Sequence, residues 1–146
     1  MSRQYLKGKY TPKHPEKYSG NPEKIIYRSS WELKYMNWCD RTSAVLKWES
    51  EETVVPYRCP TDNKLHRYFI DFKTYIKAKD GSTKIYLVEV KPFAQTIPPI
   101  YPGRQTKSYI NQVATFVKNQ AKWTAATKYA EDRGYTFIVL TEKELY

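Results

Sequence analysis

The stretch that decides the fold is residues 65–91, which read LHRYFIDFKTYIKAKDGSTKIYLVEVK. Two segments rich in β-branched and aromatic residues, 65–76 and 84–91, flank the turn-forming residues 79–82. This pattern predicts an antiparallel hairpin. Its register decides which side chains meet, because a slip of one residue moves a side chain to the opposite face.

Two turns are compatible with this hairpin. A two-residue loop at residues 80–81 sets Asp71 opposite Val90. A three-residue loop at residues 79–81, with the glycine in the left-handed conformation of a bulged turn, sets Asp71 opposite Glu89. We favour the longer loop, which brings two carboxylates together.

The polar face of the hairpin then carries two carboxylates and an ammonium group. The two-residue period of a strand puts Glu89 and Lys91 on the face of Asp71, while the core side takes Tyr86, Val88 and Val90. Two close carboxylates repel each other unless a divalent cation lies between them, and Mg²⁺ or Mn²⁺ suits oxygen ligands. Lys91 is placed to activate a water molecule or to neutralise charge on a phosphate. A salt-bridged, solvated strand face remains the alternative.

A third acid stands in the first turn of a helix predicted from residue 29 to about residue 40. Ser29 followed by Glu32 forms a capping box, so Glu32 has a structural role available. The apolar surface of the helix implies packing on the sheet and comprises Trp31, Leu33, Tyr35, Met36 and Trp38. Such packing presents the first turn at the polar end of the sheet, and both capping and catalysis stay open for Glu32.

The remaining pattern predicts two short strands, a proline-bearing loop, a long helix and a final buried strand. In chain order these are residues 45–50, 53–57, 92–104, 108–132 and 135–140. The first strand is expected to join the hairpin in one sheet, and the helix is either continuous or broken near Asn119. Gly134 ends the helix, and the last strand is expected to run parallel to a neighbour.

Five segments resemble, in order, those of the PD-(D/E)xK nuclease superfamily. They are RSSWE at residues 28–32, YFIDF at 68–72, EVKP at 89–92, KWTAA at 122–126 and GYTFIVLTE at 134–142. The branch concerned is similar to the N-terminal domain of the transposon-end nuclease of Tn7-type elements and to the head-completion nucleases of tailed phages. Ile70 is a departure, because many members have proline there. The resemblance implies an α/β fold with a restriction-endonuclease-like core, a mixed β-sheet flanked by helices.

The resemblance also implies a set of catalytic residues, namely Glu32, Asp71, Glu89 and Lys91. The three acids would bind Mg²⁺ or Mn²⁺, and the lysine would act on the scissile phosphate. The superfamily often places an auxiliary polar residue on the helix after the hairpin. Lys122 is the candidate for that position here, and Gln120 is its rival.

The charge of the chain suits a nucleic-acid partner. Lysine and arginine number 25 against 15 acids, which gives a net charge of +10. Residues 1–22 are basic and proline-bearing and predict an extended N-terminal arm before a nuclease domain at residues 23–146. Contact with DNA, docking on a protein and a mobile tail all stay open for the arm. The residues expected at DNA are Arg28, Arg104, Lys107, Lys7, Lys9 and Lys13, with Lys17 beside them in the arm.

Other features limit the class of protein. The sequence has no long apolar stretch and its start lacks an apolar signal core, which predicts a soluble, non-secreted protein without a membrane partner. Cys39 and Cys59, with His14 and His66, match no metal-binding spacing. We therefore expect a reducing compartment and no structural zinc.

The sequence as a whole favours a metal-dependent DNA endonuclease. Within the resembling branch, the single domain favours a head-completion nuclease that acts on packaged DNA ends before head-tail joining. Such a protein would work in the host cytoplasm and virion, with portal or neck proteins as further expected partners. The alternatives are a non-catalytic DNA-binding virion assembly protein, a transposon-end nuclease subunit and a small RNA-binding protein.

Overall fold

The computed structural model describes residues 7–146. Eight strands and three α-helices follow one another across these residues. They are β1 (Gly8–Lys9), β2 (Ile26–Tyr27), α1 (Ser30–Arg41), β3 (Val45–Ser50), β4 (Val54–Cys59), β5 (Lys64–Phe69), β6 (Phe72–Lys77), β7 (Thr83–Val90), α2 (Lys107–Arg133), β8 (Thr136–Leu140) and α3 (Glu142–Leu145). Across the described chain, none of the helices combines the length and apolar character needed to cross a membrane.

The central sheet has four strands in the order β3-β6-β7-β8. The first three are antiparallel, and β8 runs parallel to β7. This arrangement confirms the α/β class with a mixed sheet, the place of β3 beside the hairpin and the parallel final strand. The α2 helix that connects β7 to β8 passes Asn119 without a break.

The β6–β7 hairpin has the predicted register. Lys77 pairs with Thr83, and the Ala78 N–H donates to the Ser82 carbonyl at 2.8 Å. The loop between Ala78 and Ser82 is therefore residues 79–81, and Gly81 has a φ of 87°. The three-residue bulged turn is confirmed. Continued by one residue beyond the ladder, this register sets Asp71 opposite Glu89.

The predicted single strand over residues 65–76 is wrong. The structure divides this segment at residues 70–71 into β5, which pairs with β4, and β6, which pairs with β3. These four strands form one long ribbon that bends from the small β4–β5 sheet into the central sheet. Asp71 therefore lies at the bend and not within a continuous strand.

A bulge on the partner strand causes the bend. The Ile70 N–H donates to the Thr53 carbonyl at 2.9 Å, and the Glu51 N–H donates to the Asp71 carbonyl at 3.1 Å. Ile70 and Asp71 thus lie opposite the three residues 51–53 of the partner strand, and Glu52 is the extra residue of the bulge. Glu51 has a φ of 57°, and such bulges bend a strand and increase its twist.

The sheet separates two apolar clusters. One lies against α1 and the N-terminal segment and includes Tyr35, Met36, Trp48, Phe72, Val88 and Val90, with Tyr86 packed on it. The other lies under α2 and the β4–β5 hairpin and includes Val55, Tyr68, Ile70, Leu87, Ala126 and Ala130. As predicted, Tyr86, Val88 and Val90 share the core side, because side chains alternate along β7.

The N-terminal segment is folded onto the domain, so the prediction of an extended arm is wrong for the described residues 7–22. β1 pairs with β2. Tyr10 and Tyr18 are only 6% and 8% exposed. Their ring centroids lie 6.0 and 4.7 Å from that of Trp48, at edge-to-face angles. These tyrosines belong to the core, and residue 22 does not separate an arm from the nuclease domain.

Lys17 completes the end of α1 in place of the expected contact with DNA. Its Nζ atom donates to the carbonyls of Cys39, Asp40 and Thr42 at 2.7, 3.1 and 2.8 Å. These carbonyls have no partner within the helix, and a cation at a helix C-terminus is also favoured by the helix dipole. The buried Asp40 carboxylate in turn accepts the Lys13 N–H at 2.9 Å.

Candidate active site

The bend in the ribbon holds Asp71 at the end of the hairpin. One carboxylate oxygen, Oδ2, accepts the Val90 N–H at 2.8 Å. Burial raises the pKa of the Asp71 carboxyl well above its usual range, and the negative charges of Glu89 and Glu32 raise it further. The three predicted acids therefore lie close enough to repel one another.

Glu89 is held through both oxygens of its carboxylate. It is 5% exposed. The Tyr68 hydroxyl on β5 donates to Oε1, and Lys91 Nζ lies 3.2 Å from Oε2. Burial, with the adjacent Glu89 charge, raises the pKa of Tyr68 far above its usual range, so the phenol stays a donor. The strand period thus brings Glu89 and Lys91 together as predicted.

Glu32 serves the helix and the acidic cluster together. The Ser29 Oγ accepts the Glu32 N–H at 3.0 Å, which is half of the predicted capping box. Glu32 Oε1 accepts the N–H of Arg28 at 3.2 Å, whereas a capping box would use the N–H of Ser29. Burial raises the pKa of Glu32, and the charges of Glu51 and Glu89 act in the same direction.

A small cleft opens beside these groups, with a volume of about 220 Å³. Its lining residues are Arg28, Ser29, Trp31, Glu32, Val90, Lys91, Pro92 and Gln95. The Arg28 guanidinium is paired with the Glu51 carboxylate, and that hydrogen bond is the main reason that the pKa of Arg28 is raised. The expected DNA contact of Arg28 would therefore compete with Glu51.

Sequence reasoning missed Glu51 and the role of Tyr68. The signal for Glu51 is the segment ESEE at residues 49–52, whose three acids stand out in a basic chain at the end of a strand. Tyr68 is part of the YFIDF segment, but its contact with Glu89 joins two different sheets. Spacing within the hairpin alone does not reveal such a contact.

The structure distinguishes the two auxiliary candidates on α2. Lys122 Nζ lies 5.5 Å from the Tyr68 ring centroid. Its pKa is lowered, mostly by burial and further by the charge of Lys91. Gln120 is exposed, and two residues of separation turn it away from Lys122. Lys122 therefore lies at the site.

The basic residues expected at DNA occupy different places. Gly8 pairs with Tyr27, so one further step of this register sets Lys7 opposite Arg28, which lines the cleft. Lys13 lies near the far end of α1, and Lys9 is 3.7 Å from Glu23. Two further exposed cations, Arg104 and Lys107, lie in the loop before α2 and at its first residue.

The donor set suits a hard divalent cation. The carboxylates of Glu32, Asp71 and Glu89 with the ammonium of Lys91 leave a formal charge of −2 (three negative, one positive). All of the acidic ligands offer oxygen atoms, which Mg²⁺ and Mn²⁺ prefer. Burial raises the pKa of Asp71, and the charges of Glu89 and Glu32 add to this more than Lys91 offsets, so a divalent cation would relieve the repulsion among these carboxylates.

A mixed-sheet α/β core with two carboxylates and a lysine at one strand end defines a nuclease-like class of protein. The chain belongs to the family described as TnsA-like endonuclease N terminal, which it matches over residues 42–142. It is also similar to the head completion nuclease of Enterobacteria phage T4, with 41% identity over 142 residues that cover 94% of this chain and 92% of that protein. No solved structure matches the chain. The predicted resemblance to this branch of nucleases is confirmed.

The acidic cluster predicts an unusual effect of Asp71→Asn on stability. The pKa of the Asp71 carboxyl is higher in the folded than in the unfolded state. The free energy of unfolding therefore falls as pH rises from the unfolded-state pKa to the folded-state pKa, and it stays reduced at higher pH. Without divalent cations, the variant should melt several degrees above the wild type at about pH 8. The gain should vanish at pH values where the unfolded carboxyl is also protonated.

Asp80→Asn is the matched control for this measurement. Asp80 is exposed, and hydrogen bonds from Ser82 lower its pKa. Removing that charge should therefore leave the melting temperature unchanged or reduce it slightly. Equal stabilisation by both substitutions would show that net charge, and not the cluster around Asp71, is responsible.

Proposed function

We propose that this chain is a divalent-cation-dependent DNA endonuclease that acts on DNA ends during phage head completion. The observation that carries the proposal is the meeting of Asp71, Glu89 and Lys91 at the bend of the ribbon. Lys91 and Glu89 are 3.2 Å apart, and the Asp71 pKa responds to the charges of Glu89 and Glu32. Two carboxylates that hold a divalent cation, with a lysine beside them, can together support phosphodiester hydrolysis.

Asp71 and Glu89 would hold the cation, with Glu32 as a further acid. The Val90 N–H orients Asp71, and the Tyr68 hydroxyl orients Glu89. Hydrogen bonds from neighbouring groups to the metal-binding carboxylates keep these ligands in position. When bound, the cation supplies Lewis-acid activation of the phosphate and lowers the pKa of a coordinated water molecule.

Lys91 would stabilise the negative charge that builds on the phosphate. Its side chain is 23% exposed, while that of its partner Glu89 is 7% exposed. The ammonium is therefore partly shielded but still open to the cleft. Electrostatic stabilisation by a positioned cation in such a place is stronger than in water. Lys122, on the neighbouring helix α2, would add to this positive surface.

The similarity to the T4 protein supports the head-completion role. That relative is named a head completion nuclease, and the match covers 92% of its length. A transposon-end nuclease subunit is less well supported, because the head completion nuclease matches 94% of this chain, whereas the TnsA-like match is limited to residues 42–142. The expected settings are the host cytoplasm and the virion, with portal or neck proteins as partners.

A cleavage assay tests the proposed function. The full chain should cut linear duplex DNA in Mg²⁺ or Mn²⁺ and should stop when the cation is removed by a chelator. Branched and single-stranded DNA in the same assay identify the preferred substrate. Binding to DNA without cleavage of any of these substrates in either cation would contradict the proposal and assign the chain to non-catalytic assembly.

A further inference from the structure

A second group of metal-ligating side chains lies at the tip of the β4–β5 hairpin. Ligand atoms of Cys59, Asp62 and His66 all lie within 4.8 Å of one another. Tyr68, at the other end of β5, faces the active site, so the tip is the end of the hairpin remote from Glu89. No part of the proposed nuclease chemistry uses these three side chains.

The backbone of the turn arranges this group. The Asn63 N–H donates to the Cys59 carbonyl at 2.7 Å, and Asn63 has a φ of 57°. Asp62 Oδ1 accepts the Lys64 N–H at 3.0 Å, which leaves Oδ2 to contact His66 Nε2 at 2.7 Å. All three side chains therefore come from one eight-residue segment whose shape is fixed by main-chain hydrogen bonds.

The thiol is held in a setting that suits a metal-bound sulfur. Cys59 is buried, and its Sγ lies 3.0 Å from the Thr61 hydroxyl. That contact lowers the pKa of the Cys59 thiol, and the backbone N–H groups of Thr61 and Asp62 act in the same direction. Donors around a sulfur stabilise the thiolate, which is the form that binds metals.

We propose that Cys59, Asp62 and His66 form a binding site for Zn²⁺ or a cation of similar softness. Sulfur, imidazole nitrogen and carboxylate oxygen are the three ligand types of protein zinc sites. The two residues between Cys59 and Asp62 match the short spacing that such ligand pairs use. A thiolate and a carboxylate neutralise a divalent cation, and a water molecule completes four-coordination.

The proposed site departs from the expectation that the cysteines and histidines match no metal spacing and that the protein has no structural zinc. That expectation considered sulfur and imidazole alone, whereas the structure adds the carboxylate of Asp62 to Cys59 and His66. The site differs in chemistry from the oxygen-only cluster around Asp71, and the two are expected to prefer different cations. A bound ion would fix the tip of the hairpin whose other end carries Tyr68.

Titration of the reduced full chain with Co²⁺, in excess Mg²⁺ to occupy the carboxylate cluster, tests the proposal. The wild type should show a thiolate-to-cobalt charge-transfer band that saturates at one ion per chain, and Zn²⁺ should displace it. Zn²⁺ should also raise the melting temperature by several degrees, since a ligand of the folded state stabilises it. Cys59→Ser should lose the band, and Asp62→Asn and His66→Gln should weaken Co²⁺ binding at least about tenfold.

His14→Gln and Asp80→Asn are the matched controls, because both residues are exposed and lie outside the group. They should bind Co²⁺ like the wild type. Three outcomes would overturn the proposal. The wild type could lack the band, or the band could persist in Cys59→Ser because Cys39 supplies the thiolate. The third is unchanged Co²⁺ affinity in both Asp62→Asn and His66→Gln. Asp62→Asn and His66→Gln nearly keep the volume of the side chain they replace, so the test does not depend on whether Cys59→Ser folds.

Discussion

Replacing Lys91 with alanine is expected to reduce Mg²⁺-dependent DNA cleavage by about 10³-fold, because loss of one positioned electrostatic group has effects of this order. Asp71→Ala should abolish cleavage as well, since it removes a carboxylate expected to bind the cation. Affinity for DNA should change little in either variant, because phosphate contacts spread over the surface supply most of it. Single-turnover cleavage and equilibrium binding without divalent cations measure the two effects separately.

Lys84→Ala is the matched control for Lys91→Ala. Lys84 lies on the same strand, β7, but is exposed near the hairpin turn. Its replacement removes the same charge from the same strand and should leave the cleavage rate close to that of the wild type. If Lys91→Ala cuts as fast as Lys84→Ala, Lys91 is not catalytic and the assignment of the site is wrong.

Deleting residues 1–22 is expected to unfold the protein. The deletion removes Tyr10 and Tyr18 from contact with Trp48 and removes the Lys17 cap from α1. Loss of a large buried side chain costs about 3–5 kcal/mol. Two such losses approach the whole stability of a typical domain, which is about 5–15 kcal/mol. Circular dichroism and thermal melting should show loss of the cooperative transition.

Two smaller changes separate folding from DNA contact in this segment. Lys17→Met keeps most of the side-chain length but removes the ammonium that caps α1, and it should lower stability by about 1–2 kcal/mol. Lys7→Gln, beside Arg28, should leave stability intact and reduce the log-log salt slope of DNA binding by about 0.9 if that lysine contacts a phosphate. A truncated chain that keeps its cooperative melting would show that the segment is an arm after all.

The pairing of Asp71 with Glu89 could be predicted from the sequence because it depends on local chemistry. Gly81 favours the left-handed position of the three-residue turn, and the strand period places the rest of the hairpin. Local sequence features likewise predicted that Ser29 caps the start of α1 and that Gly134 ends α2. Each of these predictions involves residues that are close in the chain or joined by one turn.

The parts that could not be predicted depend on contacts between distant segments. Residues 65–76 carry no Gly or Pro to mark the bend, which comes instead from the bulge at Glu51 and Glu52 on the partner strand. The burial of Tyr10 and Tyr18 likewise depends on Trp48, and a basic segment with interleaved tyrosines looks the same whether it packs on a core or contacts nucleic acid. The same bulge places Glu51 beside Arg28 at the site.

The bend at residues 70–71 also limits how the length of this chain can vary. Between the end of β5 and the start of β6, Ile70 points into the cluster under α2 and Asp71 faces Glu89. An added or lost residue here would exchange the faces of all following side chains in β6, or displace Asp71 from the Val90 N–H. The turn at residues 79–82 is exposed and accepts insertions more readily. Related proteins that keep the activity should therefore differ in length at that turn and retain two residues at the bend.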